Sequence, residues 1–302
     1  MSASLRVPFG SLTVERLVAR GAGGQVFIIS KHVVFKCPTN FNNPASDQAD
    51  EIVESAGRIA NEKLTHTLLM EHPHTNIVRC ILCIPEGFFM ERVETTLQAR
   101  IDHQSVRNAP GTYAKARWIT QIASALSWLE ELGRVHGDLR PSNILLTADD
   151  NVRLADFDAS VKVGEQLLVA SEPFCKLDKY FKLPNAGPIS EQFAFASCVY
   201  MIRFGHIPLS ELDAPDRVRS FINHKYPSTD EDKEFGCVIL SCWNGEYDSI
   251  SAVYNEIKSR CEAESVSNIL ADSTHDMSSL LTECEQFLAN EEQRKQNYSL
   301  GL

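Results

Sequence analysis

Three polar side chains in the middle of the chain have the types and spacing of a phosphoryl-transfer site. Asp138 is followed by Asn143 five residues later and by Asp156 thirteen residues beyond that, each beside apolar segments that predict short strands. Phosphoryl transfer requires a carboxylate that orients the attacking hydroxyl and accepts its proton, together with oxygen ligands for Mg²⁺. Asp138 suits the first task, and Asn143 and Asp156 suit the second.

The segments around these residues resemble two motifs of the protein kinase family, His-Arg-Asp-x-x-x-x-Asn and Asp-Phe-Gly. Here they read His-Gly-Asp-Leu-Arg-Pro-Ser-Asn over residues 136–143 and Asp-Phe-Asp over residues 156–158. The resemblance implies ATP and Mg²⁺ as cofactors and a protein hydroxyl as acceptor. It also implies that His136 is a scaffold residue and that Arg140 steadies the γ-phosphate. With Pro141-Ser142, Arg140 favours serine/threonine over tyrosine substrates.

A glycine-rich segment near the N-terminus is predicted to join two strands. Because glycine has no Cβ atom, Gly21, Gly23 and Gly24 would let backbone N–H groups approach phosphates. Aligned on Val26, the segment resembles the kinase loop Gly-x-Gly-x-x-Gly-x-Val, with Ala19 in the place of the first glycine. The alternative interpretation is an ordinary hairpin turn.

Lys36 ends the segment Val-Val-Phe-Lys, which resembles the kinase strand whose lysine holds the α and β phosphates. In that family the lysine pairs with a glutamate on the following helix. Glu62 is the best candidate, because its helix precedes a link over residues 72–78 that resembles the family's His-Pro-Asn-Ile-Val. Glu54 and Glu51 are the alternatives, and a solvated lysine at a strand end is the alternative for Lys36.

Residues 88–93, Phe-Phe-Met-Glu-Arg-Val, resemble the strand and connector that bind adenine in protein kinases. The resemblance implies that backbone groups of Glu91 and Val93 hydrogen-bond the base edge, with Met90 at the back of the pocket. A plain buried strand is the alternative.

The order of the predicted elements is that of an α+β fold. Strands are predicted over residues 12–19, 25–30, 32–36, 77–84 and 87–93, and a helix is predicted from residue 47. Further helices follow over residues 114–132 and 191–204, and the second is apolar nearly all round, which predicts a buried central helix.

This order predicts a protein-kinase-like two-lobed fold over residues 10–262. We expect a small β-rich N-lobe over about residues 10–93 and a larger α-helical C-lobe over about residues 94–262. Residues 263–302 are expected to be a C-terminal helical extension. One or two amphipathic helices around residues 277–287 would pack on the large lobe or serve a partner.

Composition argues against some partners, although a local basic groove stays open. A chain of 302 residues with 43% apolar composition can bury a large core, and its net charge of −11 argues against nucleic acid and anionic membranes. The most apolar run, residues 193–202, is far shorter than the roughly 20 residues of a membrane helix. Residues 1–10 lack the features of a signal peptide, and nine cysteines without paired spacing indicate a reducing, cytoplasmic compartment. The oligomeric state is left open.

One cysteine pair, Cys80-Ile-Leu-Cys83, lies close in sequence to His72 and His74. A zinc site is one interpretation. Because no second pair of cysteines completes four ligands, we expect buried core thiols instead.

Two departures from the kinase motifs concern regulation. Gly137 replaces the arginine with which many kinases hold a phosphorylated activation loop, and Asp158 replaces a flexible glycine. We therefore expect activity that does not depend on phosphorylation of residues 158–190. The hydroxyl groups of that segment belong to Ser160, Ser171, Tyr180 and Ser190. Its predicted apolar anchors are Phe174, Leu177, Tyr180, Phe181 and Leu183.

The motifs associated with substrate docking also depart from the family pattern. An Ala-Pro-Glu motif is missing between residues 161 and 190, and Glu191 stands where an aspartate usually begins the buried helix. Gly245 falls near the place of the arginine that pairs with the missing glutamate, so that ion pair is expected to be absent.

The sequence leaves three functions open. The first is an ATP-dependent protein serine/threonine kinase, and the second is a pseudokinase scaffold that binds nucleotide without turnover. The third is a small-molecule kinase of the aminoglycoside or choline type, which the phrase His-Gly-Asp-Leu followed by Asp-Phe-Asp also resembles. Residues 90–136 leave little room for the helical insertion of that third class.

Overall fold

A computed structural model describes residues 4–93, 95–103, 110–262 and 276–299. Its described residues divide into two compact units. The first unit contains residues 4–73, 78–93 and 276–299, and the second contains residues 74–77, 95–103 and 110–262. Glu94 of the predicted connector and residues 263–275 and 300–302 of the predicted extension lie outside the described residues.

The first unit is built on a five-stranded antiparallel sheet. In spatial order its strands are β2 (Leu17–Gly21), β3 (Gly24–Ile28), β4 (Val33–Cys37), β7 (Gly87–Glu91) and β6 (Cys80–Ile84). A separate short pair joins β1 (Ser4–Leu5) to β5 (Phe41–Asn42). All five residues of β4 are buried, which fits a central strand covered on both faces, whereas β2 at the edge of the sheet is mostly exposed.

Two predicted strands begin later than expected. The strand predicted from Leu12 starts at Leu17, because Leu12 is a buried core residue and residues 14–16 form a 3₁₀ turn. The strand predicted from Ile77 starts at Cys80, because Ile77 belongs to the second unit and forms a bridge with Leu154.

One helix packs on each face of this sheet. Helix α1 (Ser46–Glu71) buries Ile59 against Cys80 and Phe88. Helix α8 (Met277–Ser299) packs against Phe89, the strand neighbour of Phe88. Because neighbouring strand residues point to opposite sides of a sheet, α8 lies on the face opposite to α1. Its buried residues are Leu280, Cys284 and Phe287, which share a core with Phe9, Phe35 and Phe89. The extension is therefore helical as expected over its described part, but it packs on the small unit, so the large-lobe alternative is wrong.

The second unit is mainly helical. Its helices are α2 (Leu97–Asp102), α3 (Thr112–Glu131), α4 (Pro188–Phe204), α5 (Ala214–Ile222), α6 (Gly236–Asn244) and α7 (Ile250–Glu262). Its short strands are β8 (Thr95–Thr96), β9 (Arg134–Val135), β10 (Ile144–Leu146), β11 (Val152–Leu154) and β12 (Val161–Lys162). As predicted, α4 is buried over most of its length and ends at Gly205, which adopts the left-handed conformation (φ +80°). The α+β fold class is confirmed.

Every helix in the part of the chain that the structure describes is too short or too polar to cross a membrane. The nine cysteines all lie within that part, and none of them forms a disulfide.

Candidate active site

The second unit brings Asp138, Asn143 and Asp156 together through one small sheet. Strands β10 and β11 pair with Ile144 opposite Leu154. This register places the residue before β10 beside the residue after β11, and the Ala155 N–H donates to the Asn143 carbonyl oxygen at 3.0 Å. Asp156 follows directly. A strand pair therefore fixes the spacing between the two predicted metal ligands.

Asp138 is held by one of its two carboxylate oxygens. Its Oδ2 accepts from Arg140 Nε at 3.1 Å and from Asn143 Nδ2 at 3.1 Å, and the same Nδ2 donates to the Asp138 carbonyl oxygen at 2.9 Å. The other oxygen, Oδ1, is buried and accepts from no group among the described residues. A small cavity of the second unit, lined in part by Ser171 and Lys176, adjoins this carboxylate. The arrangement leaves Oδ1 able to accept a proton from a bound hydroxyl.

Asp156 has an unusual backbone conformation for a non-glycine residue. It lies in the left-handed region (φ +66°) at the start of the 3₁₀ turn over residues 157–159. The residues around it hold this conformation in place: Phe157 is fully buried, its ring lies 5.1 Å from that of His136, and His136 Nε2 donates to the Ala155 carbonyl oxygen at 3.1 Å. Strain of this kind persists where the surrounding structure determines it, and it is common at functional sites. The contacts of His136 with Phe157 and Ala155 suit its predicted scaffold role.

Glu191 is a site residue whose contacts were not predicted from the sequence. Its carboxylate, at the first turn of α4, accepts from the His136 N–H at 2.8 Å and from the Gly137 N–H at 3.3 Å. Burial raises the pKa of the Glu191 carboxyl group. The buried helix thereby holds the backbone directly ahead of Asp138, at the start of the predicted catalytic loop (residues 136–143).

The local backbone also requires glycine at position 137. Gly137 has φ +82°, and a Cβ atom placed there would lie 2.2 Å from the Ala159 carbonyl oxygen. An arginine at this position is therefore incompatible with this backbone. Gly137 therefore fits the tight backbone that Glu191 holds through the N–H groups of residues 136 and 137.

The first unit forms the predicted lysine–glutamate pair. Lys36 on β4 and Glu62 on α1 are both almost fully buried, and Lys36 Nζ lies 2.7 Å from Glu62 Oε2. The solvated alternative for Lys36 is wrong. The other two helix candidates have separate partners, Glu54 with Arg58 and Glu51 with Arg20. Separation of Lys36 from Glu62 would leave two buried charges without partners, which is costly. The ion pair therefore holds both side chains in place.

The glycine-rich segment forms a two-residue turn between β2 and β3, with Gly21 paired to Gly24. Gly24 has a structural requirement, because a Cβ atom there would lie 2.4 Å from the Cys37 carbonyl oxygen. Gly21 has open space around its Cα atom, and Gly23 lies in the turn. Val26 pairs with Lys36 across β3 and β4. The hairpin is thus confirmed, while phosphate contact by its glycines stays a prediction.

The predicted adenine-binding segment ends β7. The Glu91 N–H donates to the Arg79 carbonyl oxygen at 3.0 Å, and its carboxylate accepts from Arg79 Nε at 2.9 Å. A contact from Glu91 to a base edge would therefore use its carbonyl oxygen. Val93 follows Arg92, whose N–H donates to the His32 carbonyl oxygen at 2.7 Å.

The segment over residues 158–190 is anchored only in part as predicted, since Leu183 packs against a buried cluster that includes Leu167. Tyr180 and Phe181 are 68% and 59% exposed, so their predicted role as apolar anchors is wrong. Glu172 instead pairs with Arg217 of α5, which also donates to the carbonyl oxygens of Leu209 and Leu212. This mostly buried pair anchors the segment to α5.

Two of the four hydroxyl groups in this segment are structural. Ser160 is fully buried and donates to the Val135 carbonyl oxygen at 2.7 Å, and Ser190 is buried at the start of α4, where it accepts from the Gly187 N–H. Ser171 is half-buried and Tyr180 is exposed. Nearby Cys175 is not a candidate nucleophile, because burial raises the pKa of its thiol to about 12.

The donor set of the second unit suits Mg²⁺. Asp156 offers a carboxylate, and Asn143 is held through Nδ2, which leaves its amide oxygen only a long contact from Ser142 Oγ at 3.4 Å. Magnesium prefers oxygen ligands of these types. Among the described residues, His, Cys, Asp and Glu side chains form no group of three or more that could hold a metal ion, which leaves the zinc interpretation of Cys80 and Cys83 without further ligands.

Comparisons of the sequence with known proteins identify the family of this chain. The family model of the protein kinase domain matches residues 13–220, so the chain belongs to the protein kinase family. It is 24% identical over 225 residues to a cGMP-dependent protein kinase of Eimeria tenella, covering 72% of this chain and 21% of that protein. It is 26% identical over 166 residues to sperm motility kinase 2B of Mus musculus, covering 53% of this chain and 34% of that protein.

A third relative is the epidermal growth factor receptor of Drosophila melanogaster, with 23% identity over 218 residues, 64% of this chain and 14% of that protein. The chain therefore spans about a third or less of the length of these relatives. The family predicted from the catalytic motifs is confirmed.

Proposed function

We propose that this chain is an active protein kinase that transfers the γ-phosphoryl group of ATP to serine or threonine hydroxyl groups of a protein. The observation that carries the proposal is the Asp138 carboxylate, with Oδ2 fixed by Arg140 and Asn143 and with Oδ1 unpaired among the described residues. A carboxylate held in this way orients a hydroxyl and accepts its proton without reorganisation.

Each of the other residues has a role in this proposal. Lys36, fixed by Glu62, would hold the α and β phosphates, and Asn143 and Asp156 would hold Mg²⁺. When bound, Mg²⁺ neutralises charge on the phosphates. Gly21, Gly23, Gly24 and Val26 would cover the phosphates, and backbone groups of Glu91 and Val93 would bind adenine.

Arg140 supports the serine/threonine assignment. Its guanidinium is partly exposed and hydrogen-bonded to Asp138, so a fixed positive charge lies beside the proton acceptor. Such a charge would stabilise the γ-phosphoryl group during transfer. We also propose that residues 10–262 are the catalytic part of the chain, and that the protein works in the cytoplasm, where nine cysteines without a disulfide would stay reduced.

The experiment is phosphate transfer from γ-labelled ATP to degenerate peptide libraries that present serine, threonine or tyrosine as the only acceptor. We expect labelling of the serine and threonine libraries in the presence of Mg²⁺. Labelling of the tyrosine library alone would reject the serine/threonine assignment. Labelling of aminoglycosides or choline instead of peptides would favour a small-molecule kinase, and Mg-dependent ATP binding without labelling would favour the scaffold.

A further inference from the structure

Cys80 and Cys83 are three residues apart on β6, yet they are neighbours on the same face of the sheet. Cys80 lies opposite Met90 of β7 and Cys83 lies opposite Phe88, with a register shift between Cys80 and Leu82. Met90 and Phe88 are two residues apart, which is the spacing of same-face neighbours. The shift is a β-bulge, which inserts one extra residue into β6.

The apolar contacts agree with this bulge. The two residues between the cysteines, Ile81 and Leu82, both pack in the core that includes α8. Cys80 and Cys83 pack with Ile59 of α1, on the other face. Their Sγ atoms are 3.7 Å apart and share a hydrogen bond.

The two thiols have different surroundings. Cys80 is buried, whereas Cys83 is half-buried and reachable from solvent. Lys63 of α1 donates to the carbonyl oxygen of Ile84, which places its ammonium group near Cys83. The hydrogen bond from Cys80 and the charge of Lys63 lower the pKa of the Cys83 thiol to about 7, against the effect of burial. The same hydrogen bond and burial raise the pKa of the Cys80 thiol.

We propose that Cys80 and Cys83 are an oxidisable dithiol that hydroperoxides convert to an intramolecular disulfide. The Cys83 thiolate attacks one peroxide oxygen, the O–O bond breaks, and the leaving alkoxide or hydroxide takes up a proton. Cys83 is then a sulfenic acid. The Cys80 sulfur attacks the Cys83 sulfur, the S–O bond breaks, and water leaves with the Cys80 proton. The cysteines lose two electrons in total, which reduce the peroxide, and a dithiol reductant reverses the reaction.

The fold permits this closure. A disulfide needs a sulfur–sulfur distance of about 2.05 Å, so the two sulfur atoms must approach by roughly 1.6 Å. Strand β6 lies at the edge of the five-stranded sheet, and among the described strands it is hydrogen-bonded only to β7, so a shift at the bulge breaks no strand pairing on its outer side. A purely structural role for the two thiols would explain the burial of Cys80. It would not explain why Cys83 is half-buried beside Lys63.

The test is peptide mapping by mass spectrometry after the full chain is treated with hydrogen peroxide and the remaining thiols are alkylated. Cys237, an exposed cysteine on α6, is the internal control. We expect a disulfide between Cys80 and Cys83, with loss of the Cys83 thiol about tenfold faster than loss of the Cys237 thiol. Treatment with a dithiol reductant should restore both thiols.

Two variants separate the steps. Cys83→Ser should abolish the disulfide, and Cys80→Ser should leave Cys83 as a sulfenic acid that a cyclic diketone labels. Equal oxidation rates of Cys83 and Cys237 in the parent protein would overturn the proposal, and so would pairing of Cys83 with any other cysteine. The rate comparison uses the unmodified chain, so it decides the question even if a variant fails to fold.

Discussion

Replacing Glu191 should loosen the catalytic loop and destabilise the second unit. In Glu191→Ala, the buried N–H of His136 loses its acceptor at 2.8 Å and the N–H of Gly137 loses a longer one at 3.3 Å. A buried polar group left unpaired costs about 1–3 kcal/mol, and the longer contact contributes less. Removal of a buried carboxyl group offsets part of this cost, because burial disfavours its charged form. We expect a net loss of about 2–3 kcal/mol in the free energy of unfolding.

Glu191→Gln is the matched control. The amide keeps one oxygen for the His136 N–H and turns an NH₂ group toward Gly137, so we expect a loss of about 1 kcal/mol. Denaturant unfolding monitored by tryptophan fluorescence measures both values. An alanine variant as stable as the parent would refute the role of Glu191 as the acceptor for the catalytic loop.

The same pair of proteins gives a pH test. The pKa of Glu191 is raised in the folded state, so the folded protein binds a proton more readily than the unfolded chain. The stability contributed by that proton is fully present below the ordinary glutamate pKa and is lost as pH rises through the raised value. The stability of the parent relative to Glu191→Gln should therefore increase as pH falls from neutral toward 4.5. A difference that does not change with pH would contradict this.

Three further changes test other parts of the structure. Asp156→Ala should abolish the Mg-dependent part of thermal stabilisation by ATP, and equal stabilisation in both proteins would remove Asp156 as a metal ligand. Phe287→Ala should lower the free energy of unfolding by about 3 kcal/mol, because it removes a buried ring that contacts two other rings. As a control on the exposed side of the same helix, Asn290→Ala should change it by less than about 0.5 kcal/mol in the same denaturant experiment. Ser171→Ala combined with Tyr180→Phe should leave kinase activity within a few-fold of the parent, and a hundredfold loss that acidic substitutes restore would show that another cation replaces the missing arginine.

The regulatory test uses Ser171 and Tyr180 because the other hydroxyl groups are structural. Replacing Ser160 or Ser190 would remove a buried hydrogen bond, so lost activity would not report on phosphorylation. Gly137 cannot supply the cation that orders a phosphorylated loop, and the pair of Glu172 with Arg217 already anchors the segment.

Short motifs predicted much of the site because they fix local geometry. The spacing of Asn143 and Asp156 reflects one strand pair, and the residues that end at Lys36 form a strand as predicted. Glu62 was identified from its place on the helix that follows the Lys36 strand, and the Lys36–Glu62 ion pair forms as predicted. These features depend on residues near one another in sequence or on adjacent elements.

Other features depend on contacts between distant residues, which a single sequence does not contain. Glu172 and Arg217 are separated by 45 positions, and neither lies in a recognisable motif. The apolar face of α8 predicted a helix but not the surface that it covers. Tyr180 and Phe181 lie in a loop without periodicity, so their apolar character gave no information about burial.

The most direct test of the proposed function compares the parent chain with Asp138→Asn. The amide keeps the size of the side chain but cannot accept the proton of the attacking hydroxyl. We expect Mg-ATP to bind both proteins with similar affinity by calorimetry, and we expect phosphate incorporation into a serine/threonine peptide library by the parent alone. Retained transfer by Asp138→Asn would contradict the assignment of Asp138, and binding without transfer in the parent itself would show that the chain is not an active kinase.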